Sequence, residues 1–216
     1  MSKARDLVNS ERRDFDKGEL LEGRFSENPF ELFSLWMEEA ISKEVLDPYA
    51  MCISTVSKEN KPHSRILYLR DYNPEGFIFY TNYNSDKGIN LLFNKNACLN
   101  FYWDKLERQI RIEGEVEKVS PEISDAYFNK RPKASQLGAW ASDQSGKLQN
   151  REELEQKVAQ LTEEYKDKDV PRPPHWGGYI LKPTYLEFWQ GRPSRLHDRI
   201  AFTLEEGKWD SSRLSP

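Results

Sequence analysis

The chain has 216 residues, a formal net charge of −4 and a pI near 5.6, a balance that argues against a general nucleic-acid binder. Hydrophobic residues make up 37% and charged residues 31%, so a core under a highly charged surface is expected at this length. Cys52 and Cys98 lie in apolar strand-like runs and read as two buried thiols, with a single disulfide as the minor alternative. With His63, His175 and His197 as the three histidines, no metal-ligand spacing appears and no metal site is expected. No signal-peptide pattern opens the sequence and no apolar run reaches membrane-spanning length. The expected compartment is therefore the cytosol, with no membrane partner.

Residues 1–25 are polar and charged and read as a mobile arm with a short helix. A helix follows, with Asn28 as N-cap, Pro29 in the first turn and Glu31 completing a capping box. Phe30, Phe33, Leu35, Trp36 and Met37 supply its expected buried stripe. From residue 49 the apolar period falls to two. Strands are predicted over 50–57, 63–72, 76–82, 97–103 and 108–119, with a short helix capped by Ser85 over 86–95. Five strands with short connections fit an antiparallel barrel or sandwich. Helices are predicted from Pro121 to residue 131 and over 151–166, the latter with Leu154, Val158 and Leu161 on its apolar face. A proline-rich connector leads to strands at 178–183, 185–190, 200–206 and 208–214. Strands at both ends predict one domain over 26–216 with helices inserted, preceded by the arm.

Several clusters could carry chemistry. Arg65 and Arg70 lie on a strand otherwise suited to burial, where an arginine is either a solvent-facing edge residue or a buried anion ligand. Ser85 and Lys87 open a helix, and helix N-termini attract phosphate, although most bind nothing. Tyr127, Arg131, Lys133 and Ser135 bring hydroxyls and a guanidinium together, as suits a phosphate monoester or, equally, a solvated helix end. Gln144 and Ser145 sit in a loop. Trp189, Arg195, His197 and Arg199 crowd one turn-rich segment, where His197 could also serve as a cap or surface residue. No Walker loop, dinucleotide fingerprint, nucleophile elbow or catalytic carboxylate pair is present. The residues by themselves support binding of phosphorylated small molecules, one of them planar.

The motifs "RILYLR", "FYTNYNSDK", "LERQIRIEG", "YFNKRPKASQLGAWASDQS" and "WGGY…EFWQG…RLHDR" closely resemble the pyridoxine/pyridoxamine 5′-phosphate oxidases. The resemblance runs over nearly the whole chain. It implies an α+β fold, an antiparallel split β-barrel with peripheral helices, working as a homodimer with FMN at the subunit interface. It implies oxidation of pyridoxine or pyridoxamine 5′-phosphate to pyridoxal 5′-phosphate. A hydride passes from the substrate 4′ carbon to FMN, and dioxygen is reduced to hydrogen peroxide; the amine also releases ammonia. Carried over residue by residue, it assigns to FMN the strand Arg65, Ile66, Leu67, Tyr68, Leu69 and Arg70, together with Tyr80, Thr81, Lys87, Gln109, Gln144, Ser145, Trp189 and Arg199. The substrate would be held by Arg12, Arg70, Tyr127, Arg131, Ser135, Arg195 and His197, of which Arg195 and His197 would flank the pyridine ring as the catalytic pair. Three positions depart from the family pattern: Arg70 for Lys, Asp86 for Arg, and Phe15 for Tyr in an N-terminal lid. Two other readings are a split-barrel flavoprotein reductase with another substrate, and a non-catalytic flavin or pyridoxal-phosphate carrier. The Arg131/Ser135 and Arg195/His197 sets favour the oxidase, since another substrate would not need both.

Overall fold

The structure is a computed structural model that describes residues 3–10, 13–23 and 25–216. Among the described residues, nine strands form one sheet with hydrogen-bonded order β2 (Pro62–Tyr68), β1 (Ala50–Val56), β5 (Asn96–Trp103), β6 (Arg108–Lys118), β7 (Trp176–Gln190), β4 (Gly76–Asn82) and β3 (Asp71–Asn73); β8 (Asp198–Glu205) pairs with β7, and β9 (Lys208–Arg213) with β8. The chain divides into two compact units, one of Met1–Pro48, Asn100–Arg111 and Tyr185–Pro216, the other of Tyr49–Leu99 and Ile112–Thr184. The ranges of β5 (Asn96–Trp103), β6 (Arg108–Lys118) and β7 (Trp176–Gln190) contribute to both. Among the described residues no helix is long and apolar enough to cross a membrane.

In the first unit, α1 (Lys3–Ser10) precedes α2 (Pro29–Ser42). Asn28 caps α2 as expected, accepting from Phe30 N at 3.0 Å. The reciprocal half of the capping box is rewired. The Asn28 amide donates to Ser26 Oγ at 3.0 Å, and Glu31 takes the Ser26 hydroxyl instead. The buried face of α2 is Phe30, Leu32, Phe33, Trp36, Met37 and Ala40, whereas Leu35, expected in the stripe, is 55% exposed. Leu35 shares the outward side of the helix with exposed Glu31 and Glu38, while Leu32 completes the i, i+4 row with Trp36. Phe33 meets Phe101 edge-on at 5.5 Å and Trp36 meets Phe188 at 5.2 Å. Strands β8 (Asp198–Glu205) and β9 (Lys208–Arg213) form an antiparallel hairpin.

In the second unit, β1 (Ala50–Val56) and β2 (Pro62–Tyr68) pair antiparallel from Ala50↔Tyr68 to Val56↔Pro62. The strand predicted over 63–72 breaks after Tyr68. Leu69 and Arg70 turn the chain into β3 (Asp71–Asn73), which pairs with β4 (Gly76–Asn82). Gly76 has φ +153°, and a Cβ there would lie 2.1 Å from the Leu181 carbonyl oxygen, so this turn requires glycine. Helices α3 (Asp86–Phe93), α4 (Pro121–Asn129), α5 (Lys133–Ala141) and α6 (Arg151–Glu164) follow in chain order. The two strands predicted around Pro183 are one, β7, because Pro183 continues the extended backbone. Strand β2 ends the sheet order, and Ile66 and Tyr68 on it are 65% and 40% exposed, so it is an edge strand although its apolar residues suit burial. Cys52 and Cys98 are free, as expected, but half-buried, since each sits on the outward phase of its alternating strand.

Candidate active site

Among the described residues, the second unit holds two neighbouring clefts lined by cationic side chains. One is a cradle of about 520 Å³ lined by His63, Ser64, Arg65, Ile66, Leu67, Asp86, Lys87, Gln144 and Ser145. Ser85 caps α3, accepting from Gly88 N, and so fixes Lys87 in the first turn. Lys87 is 5% exposed, and its Nζ donates to Thr81 Oγ1 at 3.2 Å and Ser85 Oγ at 3.3 Å. The Thr81 hydroxyl in turn donates to Gln144 Oε1 at 3.2 Å. Arg65 folds back across the β1–β2 hairpin, where Nη1 reaches Thr55 Oγ1 at 2.8 Å and the His63 carbonyl at 3.0 Å. Among the described residues, neither cation forms a salt bridge with a carboxylate. Burial, with the Arg65 charge nearby, brings the Lys87 ammonium down to about 8; Asp86 opposes this. Burial also lowers Arg65. Two desolvated cations whose hydrogen bonds go to neutral groups make an arrangement suited to an anion. Ser145, at φ +73°, accepts from the Asp86 amide at 3.2 Å, and Asp86 itself is exposed.

The other cleft, of about 620 Å³, shares Ile66, Leu67 and Gln144 with the cradle and adds Tyr68, Arg70, Tyr80, Thr81, Tyr127, Lys130, Arg131, Pro132, Ser135 and Trp176. Tyr80 stacks on Tyr127 with centroids 3.8 Å apart and planes 9° apart. Burial pushes the Tyr80 hydroxyl up to about 12, so it stays protonated at neutral pH. The Arg131 guanidinium lies over Trp176 at 4.6 Å, and its buried Nη1 has no hydrogen-bond partner among the described residues. A buried N–H donor without an acceptor is costly, and the guanidinium that carries it lines the cleft. Arg70 is exposed, and its guanidinium carbon lies over Tyr68, 4.9 Å from the ring centroid.

The first unit holds the other expected site residues: Gln109 on β6, Trp189 on β7, then Arg195, His197 and Arg199. The backbone at Ser194 and Arg195 is left-handed, with φ of 58° and 63°, a strained pair in non-glycine residues. Three hydrogen bonds hold the bend. Ser194 N donates to Asp14 Oδ1 at 2.9 Å, Leu196 N to the Pro193 carbonyl, and Arg192 N to His197 Nδ1 at 3.1 Å. A backbone N–H can only donate, so His197 Nδ1 is the acceptor and Nε2 carries the ring proton. Burial and the Arg195 charge both lower the imidazole, so it is neutral at pH 7. Its ring lies 4.7 Å from Trp189, and Phe15 packs edge-on against both. Glu187, 3% exposed on β7, receives Arg199 Nε at 2.8 Å, Arg111 Nη2 at 2.7 Å and the Tyr185 hydroxyl at 3.0 Å.

Of the expected residues, Arg65, Ile66, Leu67, Tyr68, Arg70, Tyr80, Thr81, Lys87, Tyr127, Arg131, Ser135, Gln144 and Ser145 therefore line the two clefts of the second unit. Leu69 is 6% exposed and belongs to the core. Arg12 lies outside the described residues. Sequence reasoning missed Trp176, Lys130 and Glu187. It also missed α5, which has no side-chain N-cap bond and starts directly after Pro132.

A sequence profile described as pyridoxamine 5′-phosphate oxidase matches residues 37–165, and one described as a pyridoxine 5′-phosphate oxidase C-terminal dimerisation region matches residues 176–216. The pyridoxine/pyridoxamine 5′-phosphate oxidase of Microcystis aeruginosa is 52% identical over 206 residues, covering 95% of this chain and 96% of that one. Among solved structures, PhzG from Burkholderia lata, in complex with tetrahydrophenazine-1-carboxylic acid, superposes with a TM-score of 0.87 at 27% identity, covering 93% and 100% of the two chains. A pyridoxamine 5′-phosphate oxidase-related, FMN binding protein from Nostoc punctiforme superposes with a TM-score of 0.70 at 16% identity, covering 89% and 100%, a likeness of fold alone. The fold is thus the α+β split barrel of a flavin-dependent oxidoreductase class. Within that class, the chain belongs to the pyridoxine/pyridoxamine 5′-phosphate oxidase family.

Proposed function

We propose that the protein oxidises pyridoxine 5′-phosphate or pyridoxamine 5′-phosphate to pyridoxal 5′-phosphate, with FMN as cofactor and dioxygen as electron acceptor. One observation carries this reading: two anion clefts share the Gln144 wall, each presenting buried cationic donors that lack a carboxylate partner among the described residues. A reaction between two phosphorylated molecules needs two such places. Arg65, Lys87 and Ser145 would hold the flavin phosphate, with Thr81, Gln144, Gln109, Trp189 and Arg199 as further cofactor contacts. When bound, FMN supplies the hydride acceptor. The protein's own task is positioning. Arg131, Ser135, Tyr127 and Arg70 would hold the substrate phosphate, while Arg195 and the Nε2–H of neutral His197 would orient the pyridine ring. The free cysteines fit a reducing cytosol. The test is anaerobic mixing of the flavin-loaded protein with pyridoxine 5′-phosphate. The flavin absorbance bleaches and air restores it with peroxide; a flavin that stays oxidised would defeat the proposal.

The proposed enzyme is a homodimer in which both groups of cofactor residues contact FMN, so cofactor loss and dissociation are linked. The apoprotein is expected to dissociate at higher concentration than the holoprotein in light scattering. A stable monomer retaining one FMN would contradict this.

Asp86 sets a further expectation. Its carboxylate suits the first turn of α3 by roughly 0.3–1 kcal/mol, yet it shares a cradle with Arg65 and Lys87. Like charges ~8 Å apart at an effective dielectric of about 20 repel by about 2 kcal/mol, less in salt. Asp86→Arg is therefore expected to tighten FMN binding several-fold at low ionic strength. Flavin titrations at two salt concentrations would show the gain shrinking as salt rises.

A further inference from the structure

Trp176 is outside the set of cofactor and substrate residues that the family resemblance assigns. It opens β7 opposite Asn82 of β4 and is 7% exposed. Its ring runs nearly parallel to Tyr80, at 5.5 Å and 11°, and to Tyr127, at 6.2 Å and 10°. On the same indole rests the Arg131 guanidinium, with Cζ 4.6 Å from the ring centroid; the Phe128 ring lies 5.6 Å from that Cζ. The backbone of Trp176 is anchored at both ends. Its carbonyl accepts from Arg172 Nη1 at 2.7 Å, and its amide donates to the Pro173 carbonyl at 3.1 Å. Arg172 is itself fixed by Asp125.

We propose that Trp176 is the positioning residue of the substrate-phosphate clamp: a platform that holds the Arg131 plane in place while leaving its donors for the phosphate. The inference rests on the reading of this cleft as the substrate-phosphate site. A half-buried guanidinium needs something to orient it. A carboxylate would orient it, but would also neutralise it and occupy the donors that a phosphate must use. An aromatic face attracts the cation and packs against its plane without offering an acceptor in that plane. The structure matches the second design. Among the described residues Arg131 forms no salt bridge, two aromatic rings lie against it, and Nη1 is buried without an acceptor. Trp176 also joins the clamp's two walls, because the indole that carries Arg131 lies alongside the Tyr80–Tyr127 stack.

The test uses the flavin-loaded enzyme, with flavin content checked by absorbance. Two constants are read, the KM for pyridoxine 5′-phosphate and the Ki of inorganic phosphate as competitive inhibitor. Trp176→Leu is expected to raise both by the same factor, about three- to thirty-fold for the loss of a desolvated cation–π contact, with kcat within about twofold. Trp176→Phe keeps a smaller aromatic face and is expected to recover most of the loss; it carries the test if the leucine variant does not fold. Arg131→Met serves as reference and is expected to raise both constants at least as much. If Arg131→Met leaves the phosphate Ki unchanged, the clamp reading itself fails. If it raises the Ki while both Trp176 variants stay at wild-type values, the clamp stands and the platform role of Trp176 is overturned. The role is also overturned if Trp176→Phe loses as much as Trp176→Leu, or if the loss falls on kcat with KM and Ki unmoved, since either would mark Trp176 as a packing residue.

Discussion

Arg195→Leu is expected to lower kcat/KM for pyridoxine 5′-phosphate by about a hundredfold while the flavin stays bound. Arg195 is exposed at the tip of a bend whose geometry is set by other residues, namely Asp14, Pro193 and His197. Removing its guanidinium therefore deletes a charged donor and leaves the scaffold standing. A hydrogen bond to a charged group contributes up to about 3 kcal/mol, and a hundredfold corresponds to about 2.7 kcal/mol. The proposed phosphate cradle around Arg65 and Lys87 belongs to a different part of the chain, so flavin content is expected to match wild type. His197→Ala is expected to cost less, about tenfold, because a neutral imidazole N–H contributes roughly 0.5–1.5 kcal/mol. Wild-type steady-state kinetics in Arg195→Leu would remove this residue from the site.

Glu187→Ala is expected to be strongly destabilising to the first unit. The carboxylate is 3% exposed and is shared by Arg199, Arg111 and the Tyr185 hydroxyl. Deleting it removes the buried carboxylate that the Arg199 and Arg111 guanidinium groups share. Breaking a buried pair from one side costs about 3 kcal/mol, toward the low end here because both arginines are partly exposed. In a chain of this size that corresponds to a fall in Tm of roughly 6–12 °C. The pH dependence follows from the same contacts. Burial pulls the Glu187 carboxyl up, but the hydrogen bonds from Arg199, Arg111 and Tyr185 outweigh it and hold the group below its ordinary value of 4.5. A carboxyl that ionises more readily in the fold stabilises it above about pH 4.5, and the contribution disappears as pH falls through the folded-state value. Thermal melts from pH 7 down to pH 3 should show the gap between wild type and Glu187→Ala narrowing in acid. A constant gap would mean that the carboxylate acts through packing and not charge.

Local signals in the sequence were strong where the physics is local. Asn28, Ser85 and Ser120 each cap a helix through a side-chain oxygen, a feature readable from residue type and spacing. The alternation over 50–56 marks β1 because one face of that strand is buried at every second residue. The extent of β2 was not legible. Its apolar residues look like a core strand, yet Ile66 and Tyr68 are exposed at a sheet edge, and only strand order reveals an edge. Helix α5 was hidden because Pro132 reads as a breaker and the helix begins directly behind it. At the site, the cationic residues announced themselves by charge. What orients them did not: Trp176 looks like one more core aromatic until Arg131 is seen lying on it, and Glu187 looks like a strand-end acid until two arginines from other strands converge on it.

The buried ammonium of Lys87 has a practical side for anyone who handles the apoprotein. Below about pH 8 this group is charged, 5% exposed and, among the described residues, hydrogen-bonded to the Thr81 and Ser85 hydroxyls, so a small oxyanion is expected to stabilise the flavin-free protein. Buffer composition then acts as a folding ligand. Phosphate or sulfate at ten times its dissociation constant adds about 1.4 kcal/mol, a rise in Tm of roughly 3–6 °C over chloride at matched ionic strength. The advantage fades as pH climbs past 8 and the ammonium loses its proton, so an alkaline chloride buffer and a neutral phosphate buffer should preserve the flavin-free protein for different reasons.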